Sequence, residues 1–104
     1  MRRTDKGIGV TDSSYIERLR ALKPRFKEMN IRRLRVFGSH ARGDARPDSD
    51  IDLLVEFYET PDLIAFSGLQ LDLEDYLGAK VDLVTPGGLH RALKDDILKE
   101  ARDV

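Results

Sequence analysis

Apolar side chains recur at spacings of three and four from Ile16 through Leu19, Leu22 and Phe26 to Met29. That rhythm matches the turn of an α-helix and predicts one inward face. Asp12, Ser13 or Ser14 can cap its start. Pro24 falls inside the pattern and predicts a kink or break near Lys23, because proline has no N–H and disfavours helix in the residue before it. From Ile31 to Phe37 the period drops to two: Leu34 and Val36 face one way, with Arg33 and Arg35 interleaved, as in a strand. Gly38 ends it. Ser39-His40-Ala41-Arg42 suits one short helical turn closed by Gly43, and the residues from Asp44 to Ser49 form a polar turn. Asp50 to Phe57 reads as a second strand, apolar and β-branched enough to be central.

A helix is expected to start at Thr60-Pro61-Asp62, with Leu63, Phe66, Leu69, Leu73, Tyr76 and Leu77 as its buried stripe and Gly78 as its stop. Lys80 to Thr85 reads as a third strand, and Pro86-Gly87-Gly88 breaks the chain after it. A last helix is expected from Leu89 to Arg102, with Leu89, Leu93, Ile97 and Leu98 inward. Residues 1–11 have no period and two glycines, and read as a flexible tail. The order α-β-turn-β-α-β-α predicts an α/β chain of the α+β type, a mixed sheet of three or more strands flanked by helices. Residues 12–104 should form a single domain. The link between strands one and two is too short for a crossover helix, so these are expected to run antiparallel. The helix between strands two and three permits a crossover.

Composition narrows the function classes. Apolar residues make up 40% of the 104 and charged residues 36%, with a formal net charge of −1. The first figure suits a folded chain. The near balance gives no global pull toward nucleic acid or an anionic membrane, although basic residues cluster between Arg25 and Arg46. The absence of cysteine excludes disulfides and thiolate zinc sites. No apolar run approaches the ~18 residues of a membrane span, and the N-terminus lacks the apolar stretch of a signal peptide. A soluble, cytoplasmic protein is the expectation.

The candidate chemistry lies in Arg35–Val55, which contains the pattern G-S-x10-D-x-D (Gly38, Ser39, Asp50, Asp52). Side chains alternate along a strand, so Asp50 and Asp52 share a face, with Cα atoms roughly 6–7 Å apart. Adjacent carboxylates repel unless a cation lies between them. Mg²⁺ meets that need, taking one or two carboxylates together with substrate phosphates. Asp82 is polar within Val81-Asp82-Leu83-Val84, where core packing alone would select an apolar residue. If strands two and three are neighbours, three carboxylates meet and two metal ions can be held about 3.5–4 Å apart. Gly38 allows the backbone to approach a phosphate, the N–H groups that start a short helix are anion donors, and the Ser39 hydroxyl adds a hydrogen bond. Arg42 offers a guanidinium fork suited to phosphate oxygens. Such a site implies nucleotidyl transfer with pyrophosphate leaving. Taken singly, each piece reads more simply as a turn, a solvated strand edge or a surface arginine; the conjunction carries the reading. His40 lies beside the turn and could touch nucleotide, but reads better as a bystander. His90 reads as a surface residue.

These residues, with Ala41-Arg42-Gly43, Ser49-Asp50-Ile51-Asp52-Leu53 and Val81-Asp82-Leu83-Val84, resemble the nucleotidyltransferase domain of the DNA polymerase beta superfamily. The likeness is to its minimal nucleotidyltransferase group, and it spans about Ile16 to Arg102. Members of that group commonly serve as antitoxins to HEPN-domain ribonuclease toxins. The resemblance implies ATP as substrate and Mg²⁺ ions bound by Asp50, Asp52 and Asp82, with Asp82 helping to deprotonate the attacking hydroxyl. It implies that Gly38, Ser39 and Arg42 hold the triphosphate. It also implies transfer of AMP to a tyrosine of a HEPN toxin partner. The shortness of the chain agrees, since little sequence is left for an acceptor domain. Two alternatives remain open: an antitoxin that neutralises by binding alone, and an enzyme acting on RNA or a small-molecule hydroxyl. For RNA, Arg32, Arg33 and Arg35 are the candidate contacts. The first and last helices are the candidate surfaces for a protein partner.

Overall fold

Two apolar rows, one from each of two adjacent strands, set the core. In the computed structural model, strand β1 (Ile31–Phe37) lies antiparallel to β2 (Ile51–Phe57), with Leu34 opposite Val55 and Val36 opposite Leu53. The pairing register shifts between Ile31 and Arg33. Such a bulge inserts one residue, which explains why Ile31 and Leu34, three apart, are both buried on the core face. Strand β3 (Val81–Val84) runs parallel to β2, and a two-residue strand β4 (Arg102–Asp103) pairs antiparallel with the far edge of β1. The sheet order is β3-β2-β1-β4. It is mixed, with antiparallel β1 and β2 as the short connection requires, and β2 is an interior strand.

Structure is described for residues 12–43, 46, 49–89 and 91–104. The tail expected over residues 1–11, Asp44, Ala45, Pro47 and Asp48 of the polar turn, and His90 lie outside the described residues. So do the side chains of the cap candidates Asp12, Ser13 and Ser14.

Helix α1 (Asp12–Ala21) stops ahead of Pro24 and gives way to a 3-10 turn over Lys23–Arg25. The helical pattern is thus divided where the proline predicts. Leu19, Tyr15 and Phe26 join Ile51, Leu53, Val55, Val81, Leu83, Leu73 and Leu77 in one apolar cluster. After the four-residue helix α2 (Ser39–Arg42), helix α3 (Leu63–Leu77) forms the crossover between β2 and β3. Asp62 caps it by accepting from Ala65 N–H at 2.7 Å, and Gly78 ends it at a φ of 68°.

Two expectations for α3 are corrected. Leu63 is 79% exposed and Tyr76 42% exposed, so neither belongs to the buried stripe. At the first turn of α3, Leu63 lines an open cleft beside Phe57 and Phe66 instead of packing into the core. Tyr76 instead turns its hydroxyl to Arg18 O, at 2.8 Å. The final segment also differs. Helix α4 covers Arg91–Glu100, with Leu93 exposed rather than inward, and the chain then enters β4. Val104 follows β4 and is buried in the main core. Among the described residues no helix is long and apolar enough to cross a membrane.

Candidate active site

Asp52 and Asp82 are register partners across parallel β2 and β3, which places their Cα atoms about 5 Å apart. Their neighbours Ile51, Leu53, Val81 and Leu83 are buried in the core, so alternation sends both carboxylates to the opposite face. The two strands are zipped just ahead of this pair by Ile51 N–H donating to Lys80 O at 2.9 Å. Asp50 is exposed one residue before β2. In the loop leading to it, Arg46 N–H donates to Ser49 Oγ and Ser49 N–H to Arg46 O, both at 2.9 Å.

Asp52 also faces Phe37, the last residue of β1, and beyond it the chain turns at Gly38 with φ 73°. A Cβ on Gly38 would overlap the Asp52 carboxylate. Glycine is therefore required twice here, by the backbone and by the carboxylate packed over it. Helix α2 follows at once. Ala41 and Arg42 N–H both donate to Gly38 O at 3.1 Å, and Gly43 closes the turn at φ 80° by donating to Ser39 O. Ser39 is half-buried beside the Asp52 end of the sheet.

Electrostatics mark Asp52 as the centre of the group. Burial, then the Asp82 charge, then the Asp50 charge push its carboxyl up to about 6, while His40 and Arg42 pull the other way. A carboxyl crowded by two others on a half-buried face is a position suited to a cation. Among the described residues no group of three or more His, Cys, Asp or Glu side chains is placed to hold a metal ion by itself. An open set nonetheless fits Mg²⁺, which takes one or two carboxylates and completes its shell with phosphate and water.

His40 is buried and sits edge-on to the Tyr15 ring, 5.4 Å between centroids. It packs α2 onto α1. Arg42 Nη1 donates to Glu100 Oε1 at 2.6 Å, and Gly38 N–H donates to Glu100 Oε2 at 3.2 Å. No sequence pattern singles out Glu100, a last-turn glutamate of an amphipathic helix. The arginines of β1 are engaged as well. Arg32 and Arg35 donate to Glu56 at 2.8 and 2.7 Å, and Arg33 holds Asp103 through two bonds of 2.8 and 2.9 Å. Arg35 is only 8% exposed. A cleft of about 650 Å³ between Phe57, Pro61, Leu63, Phe66 and Pro86 lies at the other end of the strands. Phe57 is five residues, roughly 16 Å of strand, from Asp52, so this cleft is separate from the aspartates.

Comparison with known proteins bears on the family and the fold. Residues 19–104 match the family model described as a nucleotidyltransferase domain. The protein adenylyltransferase MntA of Thermococcus cleftensis is 43% identical over 79 residues, covering 76% of this chain and 77% of the relative. A solved structure of a candidate minimal nucleotidyltransferase superposes with a TM-score of 0.80 at 40% identity, over 94% of this chain and all of the other. A complex of tri-AMPylated HEPN toxin with MNT antitoxin from Shewanella oneidensis matches with a TM-score of 0.56 at 25% identity, over 88% of this chain and 66% of the other.

Proposed function

The chain belongs to the nucleotidyltransferase domain family, and from that premise we propose that it transfers AMP from ATP to a tyrosine hydroxyl of a HEPN ribonuclease toxin, acting in the cytoplasm as its antitoxin. The observation that carries this reading is the stacking of the Asp52 carboxylate over Gly38, with Asp82 beside it on the next strand. Carboxylates and a serine-bearing turn thus lie at one end of one sheet. In this reading Gly38, Ser39 and Arg42 hold the triphosphate, and Asp50, Asp52 and Asp82 hold Mg²⁺. Bound Mg²⁺ supplies neutralisation of phosphate charge and polarisation of the reacting centre. Asp52, with its carboxyl near 6, is mostly ionised at neutral pH and suited to a cation. Asp82, exposed on the same face, accepts the proton of the attacking hydroxyl. The hydroxyl oxygen bonds to the α-phosphorus, the bond from that phosphorus to the β-phosphate oxygen breaks, and pyrophosphate leaves. The adenylyl activity in the name of the relative and the AMPylated toxin in the solved complex support the donor and the acceptor class.

The test mixes the protein with α-labelled ATP, Mg²⁺ and a HEPN-domain protein encoded by an adjacent gene. Label is expected on a toxin tyrosine with wild type and to fall at least ~10²-fold with Asp50→Asn. Absence of transfer by wild type overturns the enzymatic reading. Rescue of toxin-expressing cells by Asp50→Asn as fully as by wild type selects the binding-only antitoxin instead. RNA as acceptor is disfavoured by the ion pairs that occupy Arg32, Arg33 and Arg35.

A further inference from the structure

We propose that Glu100 is a positioning residue for the triphosphate grip, bracing the Gly38 turn and the Arg42 guanidinium from the side of the sheet away from Asp52. The inference rests on the nucleotide reading above and adds a residue to it.

Strand parity sets the direction of the Gly38 N–H. Backbone N–H and C=O groups of alternate residues point to alternate edges of a strand. On β1, Leu34 O accepts from Val104 N–H at 3.3 Å, and Val36 pairs with Arg102, so this parity faces β4. Gly38 is two residues beyond Val36 and has the same parity. Its N–H reaches the β4 edge just where that short strand has no residue to offer. Glu100 Oε2, from the last turn of α4, takes the place of the missing strand carbonyl at 3.2 Å. The other oxygen of the same carboxylate holds Arg42 at 2.6 Å. One side chain therefore ties both ends of α2, a helix of four residues that is too short to hold its geometry alone.

Exposure tells what this brace does. The Arg42 side chain is 53% exposed and that of Glu100 26%, so the pair is well screened and adds little to folding stability. Its effect is to restrict a long, rotamer-rich guanidinium to one orientation beside the site. An arginine so held loses less freedom when a phosphate arrives. The carboxylate sits behind the turn, not between it and Asp52, because the Gly38 N–H it occupies points away from β2.

The experiment measures the Mg·ATP dissociation constant by calorimetry, and KM for ATP and kcat in the label-transfer assay. The proteins are wild type, Glu100→Ala, Glu100→Gln, Arg42→Ala and the Glu100→Ala/Arg42→Ala double variant. Glu100→Ala is expected to weaken ATP binding and raise KM about 3–10-fold, the effect of freeing one ordered side chain. At saturating ATP kcat should change less than about twofold, and the effect should vanish on the Arg42→Ala background. Glu100→Gln keeps an acceptor for Gly38 N–H but drops the charge facing Arg42. It should move in the same direction by less, which covers the case in which the alanine variant does not fold. Unchanged or tighter ATP binding in the Glu100 variants, or a full effect on the Arg42→Ala background, overturns the inference while leaving the nucleotide reading intact. Failure of wild type to bind Mg·ATP overturns that reading, and this inference with it.

Discussion

Asp52 has a carboxyl raised from 3.8 to about 6 in the fold, first by burial and then by Asp82 and Asp50. Below pH 3.8 it is protonated whether folded or unfolded, and contributes no difference. Between those values the unfolded chain ionises first, and above about 6 the folded carboxylate is charged against its surroundings. The penalty is thus absent in acid and fully present above pH 6. Discounted for solvent screening it is on the order of 1 kcal/mol. Asp52→Asn should therefore raise the melting temperature of metal-free protein at pH 8 by roughly 4–8 °C, with the gain gone at pH 4, while abolishing transfer. A thermal melt at the two pH values checks this; a gain that grows toward acid would contradict it. The candidates Asp50, Asp52 and Gly38 could be named from the sequence because spacing along one strand and one turn is local information. Glu100 was not. It reaches Gly38 from 62 residues away, and nothing in its neighbours marks it.

At the scale of elements, capping and breaking residues read well. Pro24 divided the first helix, and Gly78 ended α3 in the left-handed conformation that glycine tolerates. Asp62 accepts from Ala65 N–H in the first turn of α3. Asp62→Ala should lower stability by about 1 kcal/mol, seen as a lower urea midpoint with an unchanged slope; an unchanged midpoint would mean that the cap contributes nothing. Burial within elements read less well. Leu63 and Leu93 fall on periodic apolar positions yet are 79% and 55% exposed. Periodicity says which residues share a face, not whether a neighbour exists to cover that face along its whole length.

At the scale of the whole molecule, the last three residues close the fold. Arg102 and Asp103 pair with β1, Val104 is buried, and its carbonyl accepts from Lys23 Nζ at 3.1 Å. Ending the chain after Ala101 would uncover the β1 edge and remove Val104 from the core. The loss should be about 2–3 kcal/mol, most of it from burial of the valine. The exposed Arg33–Asp103 pair is screened by solvent and adds little. Denaturant unfolding of the chain with and without residues 102–104 measures the difference, and Asp103→Asn alone should reproduce little of it.

Two periods, a proline, several glycines and one acidic repeat sufficed to determine the order of elements as far as α4, the fold class and which residues could form the site, because each is expressed within a few neighbouring positions. Strand order, the return of the chain as β4, and the meeting of Glu100 with Gly38 and Arg42 were decided only in three dimensions. Those contacts join residues distant along the chain, and their partners are chosen by the shape of the packed sheet, which no local pattern encodes.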